Sequence, residues 1–238
     1  MTAATVLASE IMTRGFTVIP GFADPAACQA MHGIAADLAA GEHAQRYPKS
    51  PRVWDLYRHG QPFLDMLTKP LLIELLTALL GEYYLLSDFS LNVLEPGQPI
   101  DNWHIDYPYN EMRTIVTGSV LGLQCVLALD DFDGSNGGTE IVPGSHIPPR
   151  APDTEQTGTR EICTMKAGSL LVMVAATWHR SGFNSSARLR SAMLLSFVEK
   201  WVRPMSGPPE PGPWSATEQL ATVIGIRRPP EAINGVPI

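Results

Sequence analysis

Ser119-Val-Leu-Gly-Leu-Gln-Cys-Val-Leu-Ala-Leu129 is an apolar run of strand length, and Asp133-Gly-Ser-Asn-Gly-Gly138 separates it from the shorter apolar run Thr139-Glu-Ile-Val142. A glycine- and asparagine-rich segment between two such runs predicts a turn that joins strands. The same alternation of short runs and turns extends on both sides. Eight strands are predicted: Tyr84 to Leu94, Trp103 to Tyr107, Ser119 to Leu129, Thr139 to Val142, Glu161 to Met165, Ser169 to Ala175, Trp178 to Phe183 and Leu189 to Val198. Their number and spacing predict a double-sheet jelly roll.

Helices are predicted beside this sheet. Asp24 followed by Pro25 is typical of a helix start, and Gly41 supplies a stop. A second apolar pattern of helical period extends from Leu64 to Leu79, with a restart at Pro70 and an end at Gly81. The chain is therefore interpreted as one mainly β domain, residues 1-238, with flanking helices. Its parts are an N-terminal helical buttress at about 1-82, a jelly-roll core at about 83-202 and a Pro-rich C-terminal tail at 203-238.

The composition excludes several classes of protein. The chain of 238 residues has 20 Gly and 21 Pro but only 17% charged residues, which disfavours a helical bundle or coiled coil. The net charge of −7 argues against a nucleic-acid partner, because binding to phosphates requires a basic surface.

Membrane insertion and secretion are not expected either. The longest purely apolar stretch, Leu170 to Ala176, is too short to span a bilayer, and no signal peptide is recognised at the N-terminus. Cys28, Cys125 and Cys163 are few, odd in number and widely spaced. They are interpreted as reduced thiols, mostly in the core, of a cytoplasmic protein.

A metal site is suggested by His104-Ile105-Asp106, because residues two apart on a strand share a face. The pair alone is weak, since an acid beside a histidine on a half-exposed strand is common. His179, on a predicted strand that follows a strongly apolar one, adds a third donor. Two histidines and one carboxylate form the facial arrangement of non-haem Fe(II) oxygenases, and catalytic zinc can use the same set. The triad by itself leaves the metal open.

Arg190 is the residue that favours one of these alternatives. The turn from Asn184 to Ala187 resets the alternation after His179, so the returning strand can direct Arg190 inward. An inward guanidinium binds a carboxylate well because its planar fork matches that group. The alternative is an arginine at the rim paired with Asp or Glu.

The chain resembles the phytanoyl-CoA dioxygenase (PhyH) family, whose members are Fe(II)- and 2-oxoglutarate-dependent oxygenases with a double-stranded β-helix, a cupin-like jelly roll. The resemblance covers residues 15 to 198 in the family's order. It is carried by Gly15-Phe-Thr-Val-Ile-Pro-Gly-Phe-Ala-Asp-Pro25, Trp103-His-Ile-Asp106, Leu127-Ala-Leu-Asp-Asp131, Asn136-Gly-Gly-Thr-Glu-Ile-Val-Pro-Gly-Ser-His146, Ala167-Gly-Ser169 and Trp178-His-Arg-Ser-Gly-Phe-Asn184 with Arg190.

The resemblance implies a role for each matching residue. His104, Asp106 and His179 would be the Fe(II) ligands, and Arg190 would bind the far carboxylate of 2-oxoglutarate. The remaining implied cofactor-binding residues are Ser181, which would assist Arg190, and Asn92, near the metal-bound end of 2-oxoglutarate. Trp103 and Trp178 are expected to pack beside the ligands. Asp106 departs from the Gly or Ala of the halogenase variant, so halogenation is disfavoured.

The implied reaction consumes 2-oxoglutarate and O2, releases succinate and CO2, and oxidises a C–H bond of a small molecule, with hydroxylation as the default outcome. A specialised metabolite is the preferred substrate, and a free or modified amino acid is the alternative. More distant alternatives are a cupin-like metal isomerase or hydrolase that does not use 2-oxoglutarate, and a non-catalytic binding protein.

The expected pocket wall combines the loop Tyr107 to Arg113, Asp88, Ser90 and the basic segment His43 to His59. That segment, defined here as the basic segment, is interpreted either as a solvated connection or as a lid on the substrate. Its basic residues are Arg46, Lys49, Arg52 and Arg58.

Overall fold

The computed structural model describes residues 2–47, 50–98, 100, 102–115, 118–152, 159–207, 209–227, 232–233 and 236–237. The helices are α1 (Ala3–Arg14), α2 (Pro25–Ala40), α3 (Gln61–Leu67), α4 (Pro70–Leu80) and α5 (Glu218–Val223). The strands are β1 (Phe16–Ile19), β2 (Gln45–Tyr47), β3 (Ser50–Val53), β4 (Tyr84–Leu94), β5 (Gly122–Ala128), β6 (Thr139–Ile141), β7 (Glu161–Ile162), β8 (Leu170–Val174), β9 (His179–Ser181), β10 (Arg190–Glu199), β11 (Ala232–Ile233) and β12 (Val236–Pro237).

Two antiparallel sheets form the jelly roll. The main sheet has seven strands in the order β1-β8-β5-β10-β4-β3-β2, and the minor sheet has three in the order β7-β6-β9. The main sheet is antiparallel at every pairing. The prediction of a mainly β jelly roll with flanking helices is confirmed, and the sequence order of neighbouring strands shows the long crossovers of this fold.

The two faces of the main sheet have different environments because side chains alternate along each strand. On β5, Leu123, Cys125 and Leu127 belong to the large core formed with the helices. Val126 and Ala128 face the other way and pack with Ile141 of the minor sheet. The space between the two sheets is therefore the inner compartment of the jelly roll.

The predicted helix boundaries agree with the structure. The Asp24 carboxylate accepts a hydrogen bond from the Ala27 N–H at 2.9 Å and caps α2, which ends before Gly41. The second apolar pattern is divided into α3 and α4, and α4 starts at Pro70 and ends before Gly81. Helix α1 was not predicted. It packs on the core through Ala4, Leu7, Ala8 and Ile11. Val6 and Met12 are apolar too but exposed, so the sequence does not separate an apolar face from a polar one.

Three parts of the chain differ from the sequence interpretation. The predicted strand Trp103 to Tyr107 is wrong as a regular strand: only His104 forms a β-bridge, to His179, and Pro108 cannot donate to a ladder. The segment 203–238 is not wholly irregular, since α5 buries Leu220 and Val223 in the main core. The first 82 residues also supply three strands of the main sheet in addition to four helices.

No helix within the part of the chain that the structure describes is both long enough and apolar enough to cross a bilayer.

Candidate metal centre and pocket

His104 and His179 are brought together by a backbone bridge between the two segments that carry them. Each residue's N–H donates to the other's carbonyl oxygen at 3.1 Å. Asp106 is held by its own N–H, which donates to the carbonyl of Ala175 at 2.7 Å. His104 therefore comes from an isolated bridge, Asp106 from the loop after it and His179 from β9, and backbone hydrogen bonds hold the three residues side by side.

The three side chains converge on a single point. His179 Nε2 lies 3.3 Å from Asp106 Oδ2, and His104 Nε2 lies 3.7 Å from Asp106 Oδ1. One donor atom from each residue falls within 4.8 Å of the others. Across the described residues, this is the one group of three or more His, Cys, Asp or Glu side chains with such spacing.

The orientation of both imidazoles is fixed from behind. His104 Nδ1 lies 2.9 Å from the Asn102 carbonyl oxygen, and His179 Nδ1 lies 2.9 Å from that of Thr177. A carbonyl oxygen only accepts, so each Nδ1 carries the proton and donates. In the neutral ring, Nε2 is then the unprotonated nitrogen, and it points at Asp106. This is how histidine ligands of metal ions are commonly held.

The electrostatics of Asp106 suit an ionised carboxylate. Burial raises its pKa, but in the metal-free site the charge and hydrogen bond of a protonated His179, with further contributions from His104 and Arg52, outweigh that effect and hold the pKa below its ordinary value. Two nitrogen donors and one carboxylate on one side of a point can bind a divalent metal ion and leave its other side open.

Arg190 lies inside the pocket and is 2% exposed. Its Nη2 donates to the Gly137 carbonyl at 3.2 Å, and its guanidinium carbon lies 4.3 Å from the centroid of the Phe132 ring. Asn184 closes the preceding turn, because its side-chain amide donates to the carbonyls of Leu94 and Arg188. The turn therefore starts β10 with Arg190 on the inner face.

A cavity of about 680 Å³ joins the metal-ligand candidates to Arg190. Asn92 on β4 and Ser181 on β9 also line it. The structure thus places all six sequence-predicted site residues around one pocket: Asn92, His104, Asp106, His179, Ser181 and Arg190.

The expected pocket wall is present in part. Tyr107 and Asn110 line the pocket from the loop after Asp106, and Arg52 and Trp54 line it from the basic segment. Arg46, in contrast, lies at the surface and pairs with Glu95 at 3.3 Å. Lys49 is outside the described residues.

Of the two expected wall residues on β4, Asp88 lines the pocket and Ser90 does not; Ser90 instead supports the Asp88 side chain. The Ser90 hydroxyl donates to Asp88 Oδ2 at 2.7 Å. Burial raises the pKa of Asp88 to about 6, although Ser90 and Arg52 act in the opposite direction.

Several lining residues were not identified from the sequence. Arg180 donates from Nε to Glu140 at 2.9 Å and stacks on Trp103, with 4.5 Å from its guanidinium carbon to the ring. Gln124 and Ser196 lie on the inner face of the main sheet. Strand alternation from Val126 and Arg190 would have identified both, because each lies an even number of residues away on the same strand. Trp178 is buried in the main core, where its Nε1 donates to the Arg150 carbonyl at 2.9 Å.

Comparison with known proteins gives consistent results. A model of the family described as phytanoyl-CoA dioxygenase (PhyH) matches residues 12–192. The dioxygenase andF of Emericella variicolor is 33% identical over 122 residues, 49% of this chain and 41% of that protein. The dioxygenase cdmA of Talaromyces verruculosus is 25% identical over 205 residues, 82% of this chain and 67% of that protein. The chain thus spans about two fifths to two thirds of these relatives.

Solved structures share the fold. The epimerase SnoN, determined with Fe3+, alpha ketoglutarate and nogalamycin RO, superposes with a TM-score of 0.71 at 22% identity, covering 89% of this chain and 91% of SnoN. EvdMO1 superposes with a TM-score of 0.66 at 24% identity, covering 82% of this chain and 50% of EvdMO1.

Proposed function

Because the chain belongs to the phytanoyl-CoA dioxygenase (PhyH) family, we propose that it is an Fe(II)- and 2-oxoglutarate-dependent dioxygenase that oxidises a C–H bond of a small molecule. Hydroxylation is the proposed outcome. One observation carries the proposal: two histidine nitrogens and a carboxylate converge within 4.8 Å in a pocket that also holds the buried Arg190.

The residues present fit Fe(II). His104 and His179 would each bind it through Nε2, because their Nδ1 protons are engaged by backbone carbonyls. Asp106 would supply the third ligand as an anion. When iron and O2 are bound, such a centre couples the oxidative decarboxylation of 2-oxoglutarate, to succinate and CO2, with oxidation of the substrate.

The protein's own contribution is to bind and orient the two organic molecules. Arg190 would hold the far carboxylate of 2-oxoglutarate, assisted by Ser181 from β9, and Asn92 would contact its metal-bound end. Phe132 covers one side of the Arg190 guanidinium and keeps water from it. A charge-assisted pair inside a water-poor pocket is stronger than the same pair at the surface.

A specialised metabolite is the proposed substrate class. The pocket of about 680 Å³ is larger than 2-oxoglutarate requires, and its wall combines the apolar Val126, Met173 and Leu194 with polar residues. The structural neighbour SnoN, from nogalamycin biosynthesis, binds nogalamycin RO in the same fold. A free or modified amino acid is the alternative substrate. We also propose a cytoplasmic location, since Cys28, Cys125 and Cys163 are buried and free of disulfides.

The decisive experiment measures binding of 2-oxoglutarate before turnover. The protein is prepared without O2, loaded with Fe(II) and titrated with 2-oxoglutarate while the visible charge-transfer absorption is recorded. We expect a saturable band in the wild type and in Arg188→Ala, a matched change of an exposed arginine. Arg190→Ala should weaken 2-oxoglutarate binding by at least about 100-fold and still bind iron.

Absence of any band in the wild type would contradict the proposal and favour a metal isomerase or hydrolase. Once binding is established, succinate release in the presence of a panel of metabolites identifies the substrate. Turnover of a substrate without O2 would also contradict the proposal.

A further inference from the structure

A row of polar side chains crosses the floor of the pocket on three neighbouring strands of the main sheet. Ser196 on β10 lies opposite Asp88 on β4 and, on the other side, opposite Gln124 on β5. Directly opposed residues of an antiparallel pair have Cβ atoms about 4.5–5.5 Å apart. All three line the pocket and are no more than 8% exposed. They are named the polar row here.

The polar row lies at the opposite end of the pocket from Arg190. On β10, Arg190 and Ser196 share the inner face and are six residues apart, with Leu194 between them also lining the pocket. Six residues of strand span about 20 Å. A molecule of 2-oxoglutarate that reached from Arg190 to the metal ligands would therefore leave the polar row to a second molecule.

The segment after β10 covers the polar row. The N–H groups of Met205 and Ser206 donate to Ser87, at 3.0 Å to its hydroxyl and 3.2 Å to its carbonyl. The hydroxyl of Tyr107 donates to the carbonyl of Arg203 from the loop that follows Asp106. Met205 and Ser206 both line the pocket, so this end is walled by protein on two sides.

Some of the hydrogen-bonding atoms of the polar row are not used within the protein. Ser196 Oγ is buried and has no hydrogen-bond partner among the described residues. Asp88 accepts the Ser90 hydroxyl on Oδ2, and a carboxylate can accept further bonds on its other oxygen. The charged groups that act on Asp88 are Arg52 and the carboxylates of Asp55 and Asp106. Buried polar groups are normally satisfied, and a ligand can supply the missing partner.

We propose that Asp88, Ser196 and Gln124 form a substrate subsite that binds a hydrogen-bond-donating group, a hydroxyl or an ammonium, of the molecule to be oxidised. Each member of the row offers an acceptor oxygen, and Asp88 in its ionised form offers only acceptors. The inference rests on the proposed function, because it assigns the second molecule in a pocket shared with 2-oxoglutarate. The subsite narrows the substrate class to metabolites that carry a hydroxyl or ammonium group at a distance from the carbon that is oxidised.

The test uses three probes with one carbon skeleton: 2-phenylethylamine, 2-phenylethanol and ethylbenzene. They end in an ammonium, a hydroxyl or no donor. Binding to the full chain is measured by calorimetry, with 2-oxoglutarate and with Zn(II) in place of iron so that no turnover occurs. The variants are Asp88→Asn and Ser196→Ala, and Asp37→Asn changes an exposed carboxylate on α2 as the matched control.

We expect a donor probe to bind the wild type and Asp37→Asn at least tenfold more tightly than ethylbenzene. This preference should disappear in Asp88→Asn and fall about threefold in Ser196→Ala. If Asp88→Asn loses the preference for 2-phenylethylamine alone, the group bound by the subsite is an ammonium. If it loses the preference for 2-phenylethanol, the group is a hydroxyl. Equal affinities for all three probes, no binding of any probe, or an unchanged preference in Asp88→Asn would overturn the proposal.

Failure of the subsite can be distinguished from failure of the proposed function. Binding of 2-oxoglutarate to the same variants is measured separately, and Asp88→Asn should bind it as the wild type does. If the wild type binds 2-oxoglutarate but shows no donor preference, only the subsite is wrong. If the wild type shows the donor preference but does not bind 2-oxoglutarate, the subsite stands and the proposed function is wrong. Thermal unfolding of each variant verifies that it is folded.

Discussion

Arg190 donates from Nη2 to the carbonyl oxygen of Gly137 at 3.2 Å, so the glycine-rich turn before β6 positions the buried cation of the pocket. Gly137 has a φ of +82°, a conformation that side-chain-bearing residues rarely adopt. An added Cβ would overlap Leu94 Cδ2 and lie 2.9 Å from the Gly182 carbonyl oxygen. This links a turn motif in the sequence directly to the proposed 2-oxoglutarate site.

Gly137→Ala should therefore reduce both stability and 2-oxoglutarate binding. We expect the free energy of unfolding to fall by about 1–3 kcal/mol, because the backbone is strained and Leu94 must move. Affinity for 2-oxoglutarate should fall by about tenfold as Arg190 loses its support. Denaturant unfolding and the anaerobic Fe(II) titration measure the two effects. Gly134→Ala is the control, because the nearest neighbour of its added Cβ is Ile162 Cδ1 at 3.7 Å. It should change neither the free energy of unfolding nor the affinity for 2-oxoglutarate.

Arg190→Lys tests whether the fork of the guanidinium matters in addition to its charge. Lysine presents a point charge and cannot bind a carboxylate with two parallel bonds. We expect the KM for 2-oxoglutarate to rise by at least tenfold while Fe(II) binding is retained. The KM is measured from succinate formation at varied concentrations of 2-oxoglutarate, and Fe(II) binding is measured as the iron content after desalting. A KM equal to that of the wild type would show that Arg190 does not hold the cosubstrate.

His179→Ala should abolish tight metal binding. Removal of an outer hydrogen-bond partner typically weakens a metal site by about 10–100-fold, and the loss of a ligand should exceed this range. Calorimetric titration with Fe(II) under anaerobic conditions measures the affinity. The control is His32→Ala, since His32 pairs with Asp130 at 3.1 Å and lies outside the pocket. Equal affinities of the two variants would contradict the assignment of His179.

The fold could be predicted largely from the sequence because its signals are local. The cap at Asp24, the restart at Pro70 and the turn at residues 133–138 each act within a few residues and determine where elements begin or end. The 11 residues of β4 coincide with the predicted strand because both of its faces are buried. Helix α1 gave no such signal, because Val6 and Met12 are also apolar although they are exposed, and they obscure the helical period of the residues that face the core.

The candidate site could be predicted as a set of residues but not as a geometry. The spacing in His104-Ile105-Asp106 suggested one face of a strand, whereas the two side chains actually meet by way of a single bridge and a loop. The sequence could place each member of the polar row on an inner strand face, but it could not show that the three members lie side by side. Asp88, Gln124 and Ser196 are neighbours only through the registers of β4, β5 and β10, which are long-range pairings.

Asp88→Asn should raise the free energy of unfolding, and this increase should become larger as the pH rises. Burial raises the pKa of the folded-state carboxyl to about 6, above its ordinary value of 3.8. The folded state therefore holds this proton more tightly than the unfolded state, and wild-type stability decreases as the pH rises from about 4 to above 6. Asparagine carries no charge and still offers an acceptor to Ser90, so it avoids this cost.

The measurement is denaturant unfolding of both proteins between pH 5 and pH 7. The difference in free energy of unfolding, variant minus wild type, should increase by about 1 kcal/mol over this interval. Asp37→Asn, at an exposed position on α2, should not reproduce the increase. A constant difference for Asp88→Asn would mean that the Asp88 carboxyl is already ionised at pH 5. A stabilised variant that has also lost its preference for donor probes would indicate that Asp88 is retained for substrate binding at the expense of stability.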